Sequence, residues 1–380
     1  MTIHAAPIPT LRALCLAAVG PSRNSWAPWL ASARERNAEF YSAGRFALNA
    51  GIVYALERRG KTHGLVWLPD YLCDEAVIPL RAEALRLYFY PITKDLSPDW
   101  ERIHSDATSV GSPDVFILVH YFGFRNCVAE AKAFCSTHQA ELIEDCAHVL
   151  VPVNGCGEGT AVFSPRKLLP VPEGGLLVTT DATKVSQPTE NFGSNKAFIV
   201  KWVARRMAQR LLLTLSLSWH KTRKGGIAAR RDDQAAPPSE RVTSLPDRFS
   251  ARLLEVLARD LDSVIRKRRD NYLRLLQAIA GFEEVTPLFP SLPDDVCPYA
   301  FPLVVPQGRD ALDGQLQKCG VPSCDWPNLP AEVIDRLGRH HTAIWLQEHI
   351  LLLPVHQDLS DKQMEYMARQ LRSFLMTKAA

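Results

Sequence analysis

The chain has 380 residues, 47% of them hydrophobic, and its 44 Lys+Arg against 41 Asp+Glu leave a net charge of +3. This length predicts a large domain plus a smaller one. The nearly balanced charge gives no global electrostatic case for nucleic acid, so an anionic ligand has to be held locally. The nine cysteines show no CxxC and no Cys/His ladder of zinc spacing, which predicts no metal and reduced thiols in a cytoplasm. The N-terminal LRALCLAAVG has no basic cluster before it and is short for a signal peptide. No segment approaches the ~20 apolar residues that span a bilayer, so the expectation is a soluble, cytoplasmic protein.

From Gly44 to Asp181 short apolar runs alternate with longer amphipathic ones, the pattern of an α/β fold with a mostly parallel sheet. A helix is predicted from Gly44, with Leu48, Ile52 and Leu56 on one face. Strands are predicted at Leu65 to Leu68, Leu85 to Tyr90, Val115 to Tyr121 and Glu141 to Asp145, with a helix from Val128 to Thr137. Strands of this kind turn polar at their carboxyl ends, where ligands of open α/β sheets collect. His120 and Asp145 stand at two such ends, and the chain then crosses Val162 and Phe163 to Lys167 before another strand, GGLLVTT.

Beyond Asn195 a basic, apolar stretch, KWVARRMAQRLLLTLSLSWHK, precedes a breaker-rich connection from Thr222 to Pro246. One long helical pattern follows from Arg248 to about Ala280. Then come a strand at FPLVV, a helix near Ala311 to Lys318, a strand at LLLP and a final helix from Ser360 to Met376. The expected division is a large domain over residues 1–250, including a basic helix and linker at about 195–246, and a small α+β domain over 251–380. Lys201, Arg205, Arg206 and Arg210 beside LLLTLSLSW are compatible with an acidic membrane surface. Packing against a subunit or between domains is the preferred reading.

The pairing of Asp145 with Lys167 is the most informative feature. Pyridoxal 5'-phosphate (PLP) needs an amine to hold it as a Schiff base and an anion to keep its ring nitrogen protonated. Lys167 supplies the amine and Asp145 the anion, and His148 is placed to reach the same group. The phosphate needs backbone donors, which a helix N-terminus offers. Ala43, Gly44 and Arg45 in SAGRFAL present one, with Ser164 as a further donor. Tyr71 and Cys73, in PDYLCDE, are candidates to cover the cofactor ring. Taken singly, each of these is an ordinary turn, core or surface residue; the combination carries the reading.

Those residues resemble the DegT/DnrJ/EryC1/StrS aminotransferase family, PLP enzymes of fold type I that mostly make amino sugars on nucleotide carriers. The similarity runs from about Phe40 to Leu375 and is most specific at Glu144-Asp145-Cys146-Ala147-His148, Lys167 and Glu173-Gly174-Gly175. VHYFG at Val119 to Gly123 and LPVH at Leu353 to His356 agree more weakly. The resemblance implies that Asp145 holds the pyridine nitrogen, that His148 lies beside the ring and that Lys167 forms the Schiff base. It further implies an amino acid donor such as glutamate, a nucleotide-linked keto sugar as acceptor, and a homodimer in which Arg248 of RFSARLL reaches the partner's site. The chain departs from the family at Val162, where a phosphate-binding Ser or Thr is frequent, at Cys73, where many members carry an aromatic, and at Pro246, where asparagine is frequent. Two other readings remain: a PLP-dependent sugar dehydratase, disfavoured because the dehydratases replace the lysine with histidine, and a PLP-binding protein of regulation or assembly without turnover.

Overall fold

A computed structural model describes residues 3–20, 27–30, 37–83, 85–153, 155–180, 196–214, 246–336 and 338–379. The first half of the chain runs through α1 (Leu11–Val19), α2 (Ala27–Leu30), β1 (Asn37–Tyr41), α3 (Gly44–Arg58), β2 (Gly64–Pro69), α4 (Asp74–Arg81), β3 (Leu85–Tyr90), α5 (Trp100–Ser109), β4 (Val115–Val119), α6 (Val128–His138), β5 (Glu141–Cys146), β6 (Thr160–Phe163) and β7 (Gly175–Thr179). Its strands form a sheet in the order β1-β7-β6-β5-β4-β2-β3. Five of them, β3, β2, β4, β5 and β6, pair in parallel. α4, α5 and α6 return the chain between β2, β3, β4 and β5, and a loop without a helix makes the crossover from β5 to β6. β7 runs antiparallel to both β6 and β1, so the sheet is mostly parallel with an antiparallel margin.

β4, covered on both faces, is wholly apolar and buried at every residue, whereas β5 turns polar at its carboxyl end with Glu144 and Asp145. β4 ends at Val119, so His120 and Tyr121 lie beyond the strand predicted to include them. His120 is instead tied across the strand ends by its N–H to the Asp145 carbonyl, 3.0 Å. α3 crosses the sheet at close range because Gly51 presents no side chain: a Cβ there would lie 3.0 Å from Leu177 Cδ1.

The second half contains α7 (Lys196–Thr214), α8 (Arg248–Leu257), α9 (Leu261–Ile279), β8 (Thr286–Pro287), β9 (Ala300–Val304), α10 (Arg309–Lys318), α11 (Ala331–Ile334), α12 (His341–His349), β10 (Ile350–Pro354) and α13 (Asp361–Ala379). β10, β9 and β8 form a separate antiparallel sheet. The single helix predicted from Arg248 to about Ala280 is two helices. The chain leaves helical geometry at Asp260 (φ −130°, ψ 39°) after a 3-10 turn, a break that no Gly or Pro announces. Most of the predicted linker, from 215 to 245, lies outside the described residues.

Distant parts of the sequence are tied together beside α7. Arg210 donates to the carbonyls of Ile8 and Pro9, the Ile8 N–H donates to Asp358 at 2.6 Å, and His356 Nε2 donates to the His4 carbonyl at 2.8 Å. Arg210 is therefore engaged within the chain. Among the described residues no helix is long and apolar enough to cross a membrane.

Candidate active site

β5 delivers Asp145 to the carboxyl-end rim of the sheet, and the short 3-10 turn Pro165–Lys167 after β6 delivers Lys167 to the same rim. β5 and β6 are adjacent and parallel, with Asp145 in register with Val162, so the two side chains share one neighbourhood by topology. Lys167 Nζ lies 3.1 Å from His148 Nε2. The Phe122 N–H donates to His148 Nδ1 at 3.2 Å, which turns the other ring nitrogen toward the Lys167 amine.

The His148 ring is held between aromatic planes. Tyr299 stacks on it at 4.4 Å and 2°, Phe122 lies near-parallel at 5.6 Å, and Trp326 meets it edgewise at 5.1 Å. Asp145 is buried and accepts the Ala147 N–H at 2.9 Å. Burial raises its carboxyl above the usual range, while the nearby Lys167 charge, the Ala147 N–H and His120 oppose that rise. A protonated pyridine nitrogen is the kind of partner such a carboxylate lacks.

A second cluster forms around the start of α3. Its cap residue, Ala43, makes no side-chain bond to the first-turn amides, and although the Phe46 N–H donates to the Ala43 carbonyl at 3.1 Å, the helix start still presents its positive end to an anion. The walls are drawn in by glycines. A Cβ on Gly175 would meet Ala43 C and O at 2.4 Å, and one on Gly44 would meet Ser164 Oγ at 3.2 Å. Ser164 is buried and donates to the Gly174 carbonyl at 3.4 Å. Arg45 stands at this helix start, and burial is the main influence lowering its pKa.

Arg166, absent from the sequence-based candidates, completes the cluster. Burial first, and then the charge of Arg45, hold its guanidinium down to about 10. Its Nε is shielded from solvent and bonds no protein atom. Two neighbouring guanidiniums, an uncapped helix and a serine hydroxyl suit a phosphate dianion.

The structure separates the two candidates for covering the ring. Tyr71 is wholly buried, its hydroxyl donating to the Trp326 carbonyl at 2.6 Å and its ring packed edgewise on Trp326. It is placed in the core. Cys73 lies within electrostatic reach of Lys167, and its thiol donates to Glu75 at 2.5 Å. Burial and Glu75 push that thiol up to about 12, so it stays protonated. Arg248 begins α8, whose cap, Asp247, donates its N–H to Glu173 Oε2 at 2.6 Å. Glu173 also accepts from Ser250, which ties the start of α8 to the segment after Lys167. That segment is pinned from the other side by Arg268, fully buried, which donates to the carbonyls of Leu168, Pro298 and Tyr299.

This arrangement is fold type I of the PLP-dependent transferases, and solved structures similar to it include aminotransferases. Over 100% of both chains it matches the aminotransferase TlmJ from Streptoalloteichus hindustanus, with a TM-score of 0.70 and 20% identity. It matches Helicobacter pylori PseC, an aminotransferase involved in the biosynthesis of pseudoaminic acid, over 99% of this chain and 100% of that one, with a TM-score of 0.67 and 15% identity. An aminotransferase from Psychrobacter cryohalolentis gives 0.67 and 16% over 99% and 100% of the two chains. Residues 92–203 match the sequence model of the DegT/DnrJ/EryC1/StrS aminotransferase family, the resemblance read from the sequence. No curated protein matches the chain.

Proposed function

We propose that the chain is a PLP-dependent aminotransferase acting on a keto sugar, with an amino acid such as glutamate as donor and a nucleotide-linked sugar as acceptor. The observation that carries this reading is the 3.1 Å contact of Lys167 Nζ with His148 Nε2 beside the buried carboxyl of Asp145. The residues present fit the cofactor: an amine, a buried anion short of a partner, and an anion cradle at the start of α3. PLP bound there supplies an electron sink for the negative charge that develops at a substrate carbon.

The chain's own groups do the rest. Lys167 Nζ would hold the cofactor through its amine and, when free, would carry a proton to and from the substrate carbon. Asp145 keeps the pyridine nitrogen protonated. His148, clamped by Tyr299 and Phe122, holds the Lys167 amine in position. Arg45, Arg166, Ser164 and the first amides of α3 hold the phosphate. The expected homodimer brings Arg248 of one subunit to the site of the other, a reading supported by the tether of the α8 start to Glu173. The two-domain division near residue 250 and a cytoplasmic location, supported by nine free cysteines, belong to the same proposal.

Adding PLP to the purified chain should produce a visible absorbance band that Lys167→Ala lacks, and borohydride should fix the cofactor on the peptide containing Lys167. An amino acid should bleach the band and a keto acid restore it. Colour without bleaching by any amino acid would instead support a binding protein without turnover. In Lys167→Ala, transamination should fall by at least about 10²-fold to 10⁴-fold.

A further inference from the structure

Glu144 and Cys146 flank Asp145 on β5, and side chains alternate faces along a strand, so these two point away from the face that Asp145 serves. There the fold gathers four buried groups, His120, Glu144, Cys146 and Cys156, whose ligating atoms all lie within 4.8 Å of one another. The two sulfurs are 3.9 Å apart. Cys156 is brought in by a tight loop. Its backbone pairs with Val153, Gly155 and Gly157 on either side have φ of +73° and +72°, and the Gly157 N–H donates to Glu144 Oε2 at 2.8 Å.

A metal is the first occupant such a set suggests, and the hydrogen bonding argues against it. The Asn126 N–H donates to His120 Nδ1 at 3.0 Å, so the ring proton sits on Nε2, which points at Glu144 Oε2, 3.0 Å away. A nitrogen that bears a proton has no lone pair for a metal. Glu144 is likewise committed to the His120 N–H and the Gly157 N–H. What remains is a pair of thiols beside an N–H donor. Hydrogen bonds from Cys146 and then from His120 hold the Cys156 thiol below its usual range in spite of burial, while burial pushes Cys146 well above its own.

We propose that Cys156 and Cys146 form a peroxide-sensitive dithiol that closes reversibly to a disulfide behind the strand that carries Asp145. Cys156, carried on the loop between Gly155 and Gly157 and close to the His120 ring nitrogen, is the attacking sulfur. Its thiolate forms a bond to one oxygen of hydrogen peroxide as the O–O bond breaks, and the leaving hydroxide takes a proton and departs as water. The resulting sulfenic acid is attacked by the Cys146 sulfur: the S–S bond forms, the S–O bond breaks, and the oxygen leaves as a second water with the Cys146 proton. The two thiols give up two electrons and two protons, and the peroxide is reduced to two waters. Closure shortens the sulfur separation from 3.9 Å to about 2.05 Å, a displacement within reach of the glycine-flanked loop.

The test uses the full chain treated with a small excess of hydrogen peroxide at neutral pH, followed by thiol blocking and peptide mapping. It reads sulfur chemistry, so its outcome is independent of whether the protein transaminates. The expected result is a bond between positions 146 and 156 that dithiothreitol reverses. The two sulfurs should also behave differently. In Cys146→Ser, Cys156 should be trapped by dimedone as a sulfenic acid, whereas in Cys156→Ser, Cys146 should remain an unmodified thiol. Circular dichroism checks that both variants are folded. If 146 and 156 stay reduced while other cysteines react, or if stoichiometric zinc is found and its chelation is needed before the sulfurs react, the proposal is overturned.

Discussion

At the scale of single residues, the site depends on charges held where water is scarce. Arg166 is the clearest case, because an anion placed beside it would offset the burial and the like charge that lower its pKa. Its pKa is lowered by burial and by Arg45, so a dianion between the two relieves both penalties. A charge-assisted hydrogen bond contributes about 1.5–3 kcal/mol, so Arg166→Ala should weaken PLP affinity by roughly tenfold to a hundredfold. The absorbance band should persist at saturating cofactor, because Lys167 is untouched; equilibrium titration of the band measures this. Sequence reasoning passed over Arg166 because nothing in SPRKLL distinguishes an arginine turned toward an anion cradle from one in solvent. Tyr299, Phe122 and Trp326 were missed for a related reason. They lie far from His148 along the chain, and only the fold brings their rings against it.

At the scale of elements, the cradle depends on how closely β7 approaches the start of α3. The Gly174 N–H donates to the Ser42 carbonyl at 2.9 Å, and Gly175 leaves no room for a methyl group beside Ala43. Gly175→Ala should therefore cost about 1–3 kcal/mol by overpacking and weaken cofactor binding as well. Chemical denaturation with and without PLP separates the two effects, and a variant as stable and as tightly binding as the parent would remove this account of the glycine. β2 and β4 are legible in the sequence because strands covered by helices read as unbroken apolar runs, and β3 and β5 because a short apolar run survives around Arg86 in one and before Glu144 in the other. β1 is not legible: all five of its residues are only partly buried, so it shows neither an apolar run nor a strict alternation. The antiparallel direction of β7 is equally hidden, since pairing direction depends on the loop between Lys167 and Gly175 and not on the strand itself. Asp145, Lys167 and His148 were legible because a strand end and the following turn fix their neighbourhood with little help from distant parts of the chain.

For the molecule as a whole, stability depends on pH through groups at the junction of its two ends. His356 is buried, and burial first, then Arg268 and His4, lower its pKa to about 3, against the bond it makes to the His4 carbonyl. Unfolded, the same ring titrates near 6.5. Between those values the unfolded chain binds more protons at this position than the folded one, so stability at this position falls as pH drops from about 6.5 toward 3. The slope is about 1.4 kcal/mol per pH unit. Buried carboxyls whose pKa values are raised, Asp145 and Glu173 among them, act in the opposite sense at acid pH. The contribution of His356 is therefore read as a difference: the stability gap between the parent and His356→Gln should narrow as pH falls below 6.5. A gap that stays constant from pH 7 to pH 4 would remove the assignment.

The same junction sets an order of events during synthesis. Ile8 cannot meet Asp358 until the chain has grown by a further 350 residues, and His4 has to wait for His356 in the same way. The α/β sheet has all its strands well before then, so it can condense around its own core while the first residues remain unattached. Their docking is then a late fastening that waits for residues 356–358 to be made, and a bulky group placed ahead of Ile3 would hinder that step more than it would the sheet.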